Sequence, residues 1–279
     1  MQTPSGPEAA PSLARLRALI VDMDGVLWHG SAANPGMAEF FRFLRDRDIR
    51  LVLATNNPTL TPASYRQKLQ GLGAQVSEEE ILTSAQATAL YLARTATPGA
   101  KIFVIGEEGI RSALAAGGFR IADLEDLDAD YVVCGMDRAL TWEKLAGGTL
   151  NIRRGAGFIG TNNDATFPTE RGITLGNGAV LAALATGSGR QPTIIGKPEP
   201  LMYQLAIERL GVPAGQTAGL GDRLETDILG AHRAGIASIL VLSGVTTAVQ
   251  LRDSAIRPTW VFAGLPELVQ EWSAQLGSG

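Results

Sequence analysis

Six polar residues of this 279-residue chain are placed where they could do chemistry together. Asp22 and Asp24 stand in "LIVDMDGVLWHG", Thr55 in "ATNN", Lys197 in "IGKP", and Asp222 and Asp227 in "GDRLETD". Each follows a short apolar run. Carboxylates are costly to bury unpaired. Clustered at one point they repel and raise a pKa unless a cation sits between them. Hard carboxylate oxygens suit Mg²⁺, which keeps several waters and few protein ligands. Lys197 and the backbone amides after Thr55, at Asn56 and Asn57, would hold an anion beside that metal. Metal, anion holder and free carboxylate together form an arrangement for phosphoryl transfer. One aspartate can attack phosphorus to give an aspartyl-phosphate. The other can protonate the leaving oxygen and later deprotonate the hydrolytic water.

Such a cluster needs a scaffold that brings distant segments to one edge. "ALIVDM", "IRLVLATNN", "PTIIGKP", "TAGLGD" and "ASILVLSG" are apolar without alternation, the pattern of strands covered on both faces. Helical patterns separate them: "GMAEFFRFLRDRD", "TPASYRQKLQGLG", "PEPLMYQLAIERLG" and "ETDILGAHRAG". This alternation predicts a doubly wound, parallel α/β sheet. Ligands of such sheets bind outside the carboxyl ends of the strands, where all six residues fall. The middle of the chain repeats the rhythm with "KIFVIG", "YVVCGM" and "GFIGTN" as strands and three further helices. The expected organisation is a flexible tail over residues 1–14, a discontinuous core over 15–82 plus 188–275, and an inserted α/β cap over 83–187.

Composition narrows the function classes. Hydrophobic residues make up 45% and charged residues 19%, enough for a packed core. A net charge of −4 without a basic block argues against nucleic-acid or membrane partners. The single cysteine, Cys134, cannot form an intrachain disulfide, which fits a reducing, cytoplasmic location. It lies in an apolar run and reads as a buried, inert thiol.

Three other features read as structural. "GAGFIG" matches G-x-G-x-x-G, but the helix precedes it and the strand follows, the reverse of a dinucleotide site. "DLEDLDAD" would need Gly and Glu where Tyr131 and Asp137 stand to be a calcium loop, so it reads as a solvated acidic loop. Trp28 reads as core packing and His29 as an exposed loop residue.

"DMDGVLW", "ATNN", "GKPEP" and "GDRLETD", in this order, resemble the four motifs of haloacid dehalogenase superfamily phosphatases. "VVCGMDRALTWEKL" and "GTNNDATFPTERGITLGNGAVLAALATGSGRQPTIIGKP" resemble the C2-type cap of the NagD-type, or 4-nitrophenylphosphatase-like, subgroup. The resemblance spans residues 17–265. It implies Asp22 as nucleophile and Asp24 as general acid and base. The metal Mg²⁺ would be held by Asp22, by the backbone carbonyl of Asp24 and by Asp222, with Asp227 supporting from behind. Thr55 and the amide of Asn56 would bind the phosphoryl group, and Lys197 would neutralise nucleophile and phosphate. The second aspartate, Asp24, disfavours a dehalogenase. Residues 162–171 of the cap, with Asn162, Asp164, Thr166 and Arg171, would set substrate choice. "NGAV" departs from the proline- and glycine-rich turn expected before the last cap helix.

The expected activity is Mg²⁺-dependent hydrolysis of a small phosphorylated metabolite, with a homodimer through the cap compatible with the resemblance. A phosphomutase or phosphotransferase would use the same aspartyl-phosphate. A phosphoacceptor signalling module would place its aspartate mid-chain after a separate acidic pair, whereas here Asp-x-Asp begins the sheet.

Overall fold

The computed structural model describes residues 12–169 and 172–277. A six-stranded sheet forms the core. Its spatial order is Trp260–Phe262, Ala237–Val241, Thr217–Gly221, Ala18–Val21, Arg50–Thr55, Ile81–Thr83. Every pairing in it is parallel. The chain leaves Ala18–Val21 toward one edge and returns on its other side with Thr217–Gly221. The sheet's switch point therefore lies at the carboxyl end of Ala18–Val21, where Asp22 begins the next loop.

The flanking helices follow their sequence signals. Met37–Asp46 buries Met37, Phe40, Phe41 and Leu44, the i, i+3, i+4, i+7 stripe of a one-sided helix. Pro62–Gly71 starts with Pro62 in its first turn, and the Thr61 hydroxyl accepts from the Ser64 amide. Two glycines in this region are forced. Gly25 has φ +85°, and its missing side chain leaves room for the Asp222 carboxylate. Gly109 opens the helix Glu108–Ala116 against the carbonyls of Pro58 and Leu60, where a Cβ would overlap backbone.

A second, five-stranded parallel sheet forms the inserted cap, in the order Thr193–Ile194, Gly157–Gly160, Tyr131–Cys134, Lys101–Ile105, Arg120–Ile121. The strand expected in "PTIIGKP" thus belongs to this sheet, not to the core. Its two residues pair with Ile159 and Gly160. The segment 162–171, expected as a loop, runs into an antiparallel hairpin, Thr166–Thr169 with Gly172–Leu175. Residues 1–11 of the expected tail lie outside the described residues. Its end is ordered, because Leu13 is buried and Ser12 and Leu13 both donate to Gln275 of the helix Leu265–Gly277.

The helix Ser84–Thr95 joins the two units. One apolar cluster contains Ile20, Val52 and Ala54 of the core sheet, Leu82, Ala85 and Leu92 near the joint, and Ile102, Val104, Val133 and Ile159 of the cap sheet. Among the described residues no helix is long and apolar enough to cross a membrane.

Candidate active site

Parallel strands deliver Asp22, Thr55 and Asp222 to one edge of the core sheet. The Asp22 amide bonds the Leu220 carbonyl at 2.8 Å, so the nucleophile candidate is fixed by the neighbouring strand. Lys197 arrives by a different route, from the turn after the cap strand Thr193–Ile194. It is 3% exposed. Its Nζ donates to Asp22 Oδ1 at 2.6 Å, to Asp227 Oδ1 at 2.7 Å and to the Ala54 carbonyl at 3.0 Å. A buried ammonium with three acceptors is satisfied, whereas one without them would not stay charged. Burial pushes the Lys197 ammonium down, but Asp22 and Asp227 hold it well above the usual lysine range. Burial raises the Asp22 carboxyl well above the usual carboxylate range. Lys197 opposes this, and Asp227 and Asp222 add to it.

Asp222 is fully buried. Its Oδ2 accepts from the Val245 amide at 2.7 Å, but its Oδ1 has no hydrogen-bond partner among the described residues. Carboxylate oxygens of Asp22, Asp222 and Asp227 lie within 4.8 Å of one another. Both oxygens of Asp227 are already engaged, by Lys197 and by the Arg223 amide. The orphaned oxygen of Asp222 is thus a buried acceptor left open toward Asp22, and the donor set is all hard oxygen. Such a set fits Mg²⁺.

Asp24 is exposed, and its Oδ1 accepts from Trp28 Nε1 at 2.8 Å. Thr55 is buried, and its hydroxyl accepts from the Asn57 amide at 3.0 Å. Asn57 in turn accepts from the amide and hydroxyl of Thr59. The structure therefore uses Asn57 to brace the loop after Thr55. Asn56 uses its side chain as a clamp. Its Oδ1 accepts from the Lys197 amide at 2.8 Å and its Nδ2 donates to the Lys197 carbonyl at 2.9 Å.

The cap residues divide. Asn162 is buried and donates to the Asn56 carbonyl at 2.8 Å, a strut rather than an open contact surface. Asp164 receives Asn56 Nδ2 at 3.2 Å, so a cap carboxylate reaches the site. Burial raises its pKa, with Arg223, Asn56 and Lys197 opposing. Thr166 stands exposed at the start of the hairpin, and Arg171 lies outside the described residues. His29 is exposed and bonds the Ser243 carbonyl. Cys134 is buried against Asn177, and burial pushes its thiol up, as an inert thiol requires.

Sequence reading did not single out Ser243, Gly244 or Val245. They follow the strand Ala237–Val241, where Ser243 holds the Gly25 carbonyl and a Cβ on Gly244 would overlap the Asp222 carboxylate. "SGV" carries no chemical signal of its own. Only its register after a core strand could have marked it.

Known proteins match this arrangement. A family model described as haloacid dehalogenase-like hydrolase covers residues 19–120, and a second model of HAD-type hydrolases covers 194–268. The acid sugar phosphatase of Staphylococcus saprophyticus is 38% identical over 255 residues, 91% of this chain and 97% of that protein. The crystal structure of 4-nitrophenylphosphatase from Thermotoga maritima superposes with a TM-score of 0.87 at 34% identity, covering 92% of this chain and 98% of that one. The glycerol phosphate phosphatase of Mycobacterium tuberculosis, solved with magnesium, gives 0.87 at 35% identity, covering 94% and 79%. With its core sheet, inserted cap and matching motifs, the chain belongs to the haloacid dehalogenase-like hydrolases and is a phosphatase.

Proposed function

We propose that this phosphatase hydrolyses phosphate monoesters of small metabolites through an aspartyl-phosphate on Asp22, with Mg²⁺ as cofactor. The observation that carries the reading is the unpartnered Asp222 Oδ1 beside the Asp22–Lys197 pair. Mg²⁺ would be held by Asp22, Asp222 and the carbonyl of Asp24. When bound it supplies positive charge against the phosphoryl oxygens.

The remaining work falls to side chains. Lys197 keeps one oxygen of Asp22 occupied and neutralises charge at the phosphoryl group. The other Asp22 oxygen attacks phosphorus, and the bond to the leaving oxygen breaks as Asp24 gives it a proton. Water then attacks the aspartyl-phosphate and gives its proton to Asp24, which releases inorganic phosphate and restores Asp22. Thr55 and the amide of Asn56 orient the phosphoryl group. Asp227 holds Lys197 from behind.

Small substrates are favoured because Asn162 and Asp164 of the cap press on the loop that carries Asn56, beside the reacting groups. The relatives named for acid sugar phosphates and glycerol phosphate support polyol and sugar phosphates as the class to test first. The single buried, unpaired Cys134 supports a cytoplasmic setting.

A screen of small phosphate monoesters with and without Mg²⁺ tests the reading. Turnover should require the metal, and Asp22→Asn should abolish it while circular dichroism stays native. Near-normal activity of that variant would remove Asp22 as nucleophile. Transfer of phosphate to a second metabolite, read by a coupled product assay, would favour a mutase.

A further inference from the structure

Trp28 is fully buried, although the Asp24 it bonds is exposed. The tight turn at Gly25, whose amide bonds the Trp28 carbonyl at 2.9 Å, folds the indole back under that carboxylate. Its Nε1 donates to Asp24 Oδ1 at 2.8 Å. Two neighbours from the helix Pro62–Gly71 hold the ring. Tyr65 stacks on it with centroids 6.5 Å apart and planes 24° apart, and Lys68 Nζ sits 4.1 Å from its centroid. The Tyr65 hydroxyl reaches the Asn57 carbonyl at 3.3 Å, so the same aromatic pair braces the loop after Thr55.

An indole N–H can only donate. The hydroxyl oxygen of a protonated carboxyl accepts far more weakly than its carbonyl oxygen. While the indole holds Oδ1, a proton on Asp24 is therefore favoured on Oδ2. The cation on the ring face draws π density toward itself and makes the N–H a better donor.

We propose that Trp28 is a positioning residue for the proton-transfer step: its N–H holds Asp24 Oδ1 and directs the transferable proton to Oδ2. This rests on the acid–base role given to Asp24 above. It goes beyond that role by naming what orients the acid. Each half-reaction then begins with the carboxyl in one orientation, instead of losing time to rotation about its Cβ–Cγ bond.

The test compares leaving groups. An alkyl phosphate needs a proton on its departing oxygen, whereas 4-nitrophenyl phosphate needs little help. With Mg²⁺ present, kcat and KM are measured on glycerol phosphate and 4-nitrophenyl phosphate for the parent, Trp28→Phe and Asp24→Asn. A fourth protein carries 3-benzothienylalanine at position 28, which replaces the N–H by sulfur and keeps the bicyclic shape. It decides the matter should the phenylalanine variant fail to fold. Loss of one hydrogen bond to a charged acceptor should lower kcat/KM on glycerol phosphate by about tenfold to a hundredfold. The loss of kcat/KM on 4-nitrophenyl phosphate should stay below about threefold, because this ratio reads the half-reaction in which the leaving group departs, not the hydrolysis that all substrates share.

Equal losses on both substrates, or none, in the sulfur analogue would overturn the inference, since a merely structural tryptophan does not read the leaving group. Asp24→Asn separates the two levels. If it is selective and the position-28 variants are not, only the role of Trp28 falls. If Asp24→Asn itself loses equally on both substrates, the acid assignment is wrong and the inference falls with it.

Discussion

Asp222 has no exposed surface and one oxygen without a donor, so its charge is poorly supported by protein alone. Burial pushes its carboxyl up to about 6 from an ordinary value of 3.8, with Asp227 adding to the rise and the Val245 amide opposing it. A carboxyl raised in the folded state holds its proton there after the unfolded chain has released its own. Stability of the metal-free protein should therefore fall as pH rises through the window from about 4 to about 6. The loss attributable to Asp222 is of order 3 kcal/mol. Urea unfolding in EDTA across that window would show it. Asp222→Asn should flatten the slope, and Mg²⁺ at neutral pH should raise the midpoint of the parent but not of the variant. A pH-independent midpoint in EDTA would contradict the burial argument. The position of Asp222 was legible because "GDRLETD" follows an apolar strand. Its orphaned oxygen was not, since a missing partner depends on how Gly25 and Gly244 pack around it.

The element that presents Lys197 is weaker than its sequence promises. "PTIIGKP" contains only two strand residues, and they pair in the cap sheet. What fixes the lysine main chain is Asn56, whose carboxamide pairs with both the amide and the carbonyl of Lys197, as a neighbouring strand would. Asn56→Ala leaves two buried main-chain groups without partners and should cost about 2–5 kcal/mol. Turnover should fall on every substrate alike, because Lys197 acts on the nucleophile and the phosphoryl group, which all substrates share. Chemical denaturation and kcat on two substrates would check both effects. An unchanged stability would mean that water replaces the clamp. Core strands ending in Asp22, Thr55 and Asp222 were readable from continuous apolar runs. The strand Ile81–Thr83 and the hairpin after Asn162 were not. The first has three residues, too few for a period to show. In the second, Gly172–Leu175 is exposed throughout and has no buried face to pattern.

Over the whole molecule, two sheets would suggest two units that open and close freely, but their packing argues for closer coupling. The apolar cluster that runs from Ile20 and Val52 to Val104 and Ile159 crosses the joint, and Leu92 of the connecting helix is fully buried in it. Polar contacts add to it: the Gly109 amide bonds the Thr59 carbonyl at 3.1 Å, and Asn162 Nδ2 donates to the Asn56 carbonyl at 2.8 Å. Exposing either half of such a cluster costs free energy in proportion to the apolar area bared, so partial unfolding should be disfavoured and cap and core should melt as one. Far-UV circular dichroism and tryptophan fluorescence should then give coincident urea transitions. Leu92→Ala removes packing from both sides of the joint and should lower that shared transition by about 2–5 kcal/mol. If the joint is instead a free hinge, the same variant should split the transition, with the exposed Trp142 of the cap and the buried Trp28 and Trp272 of the core reporting different midpoints. A split already present in the parent would show that the apolar cluster does not couple the two sheets.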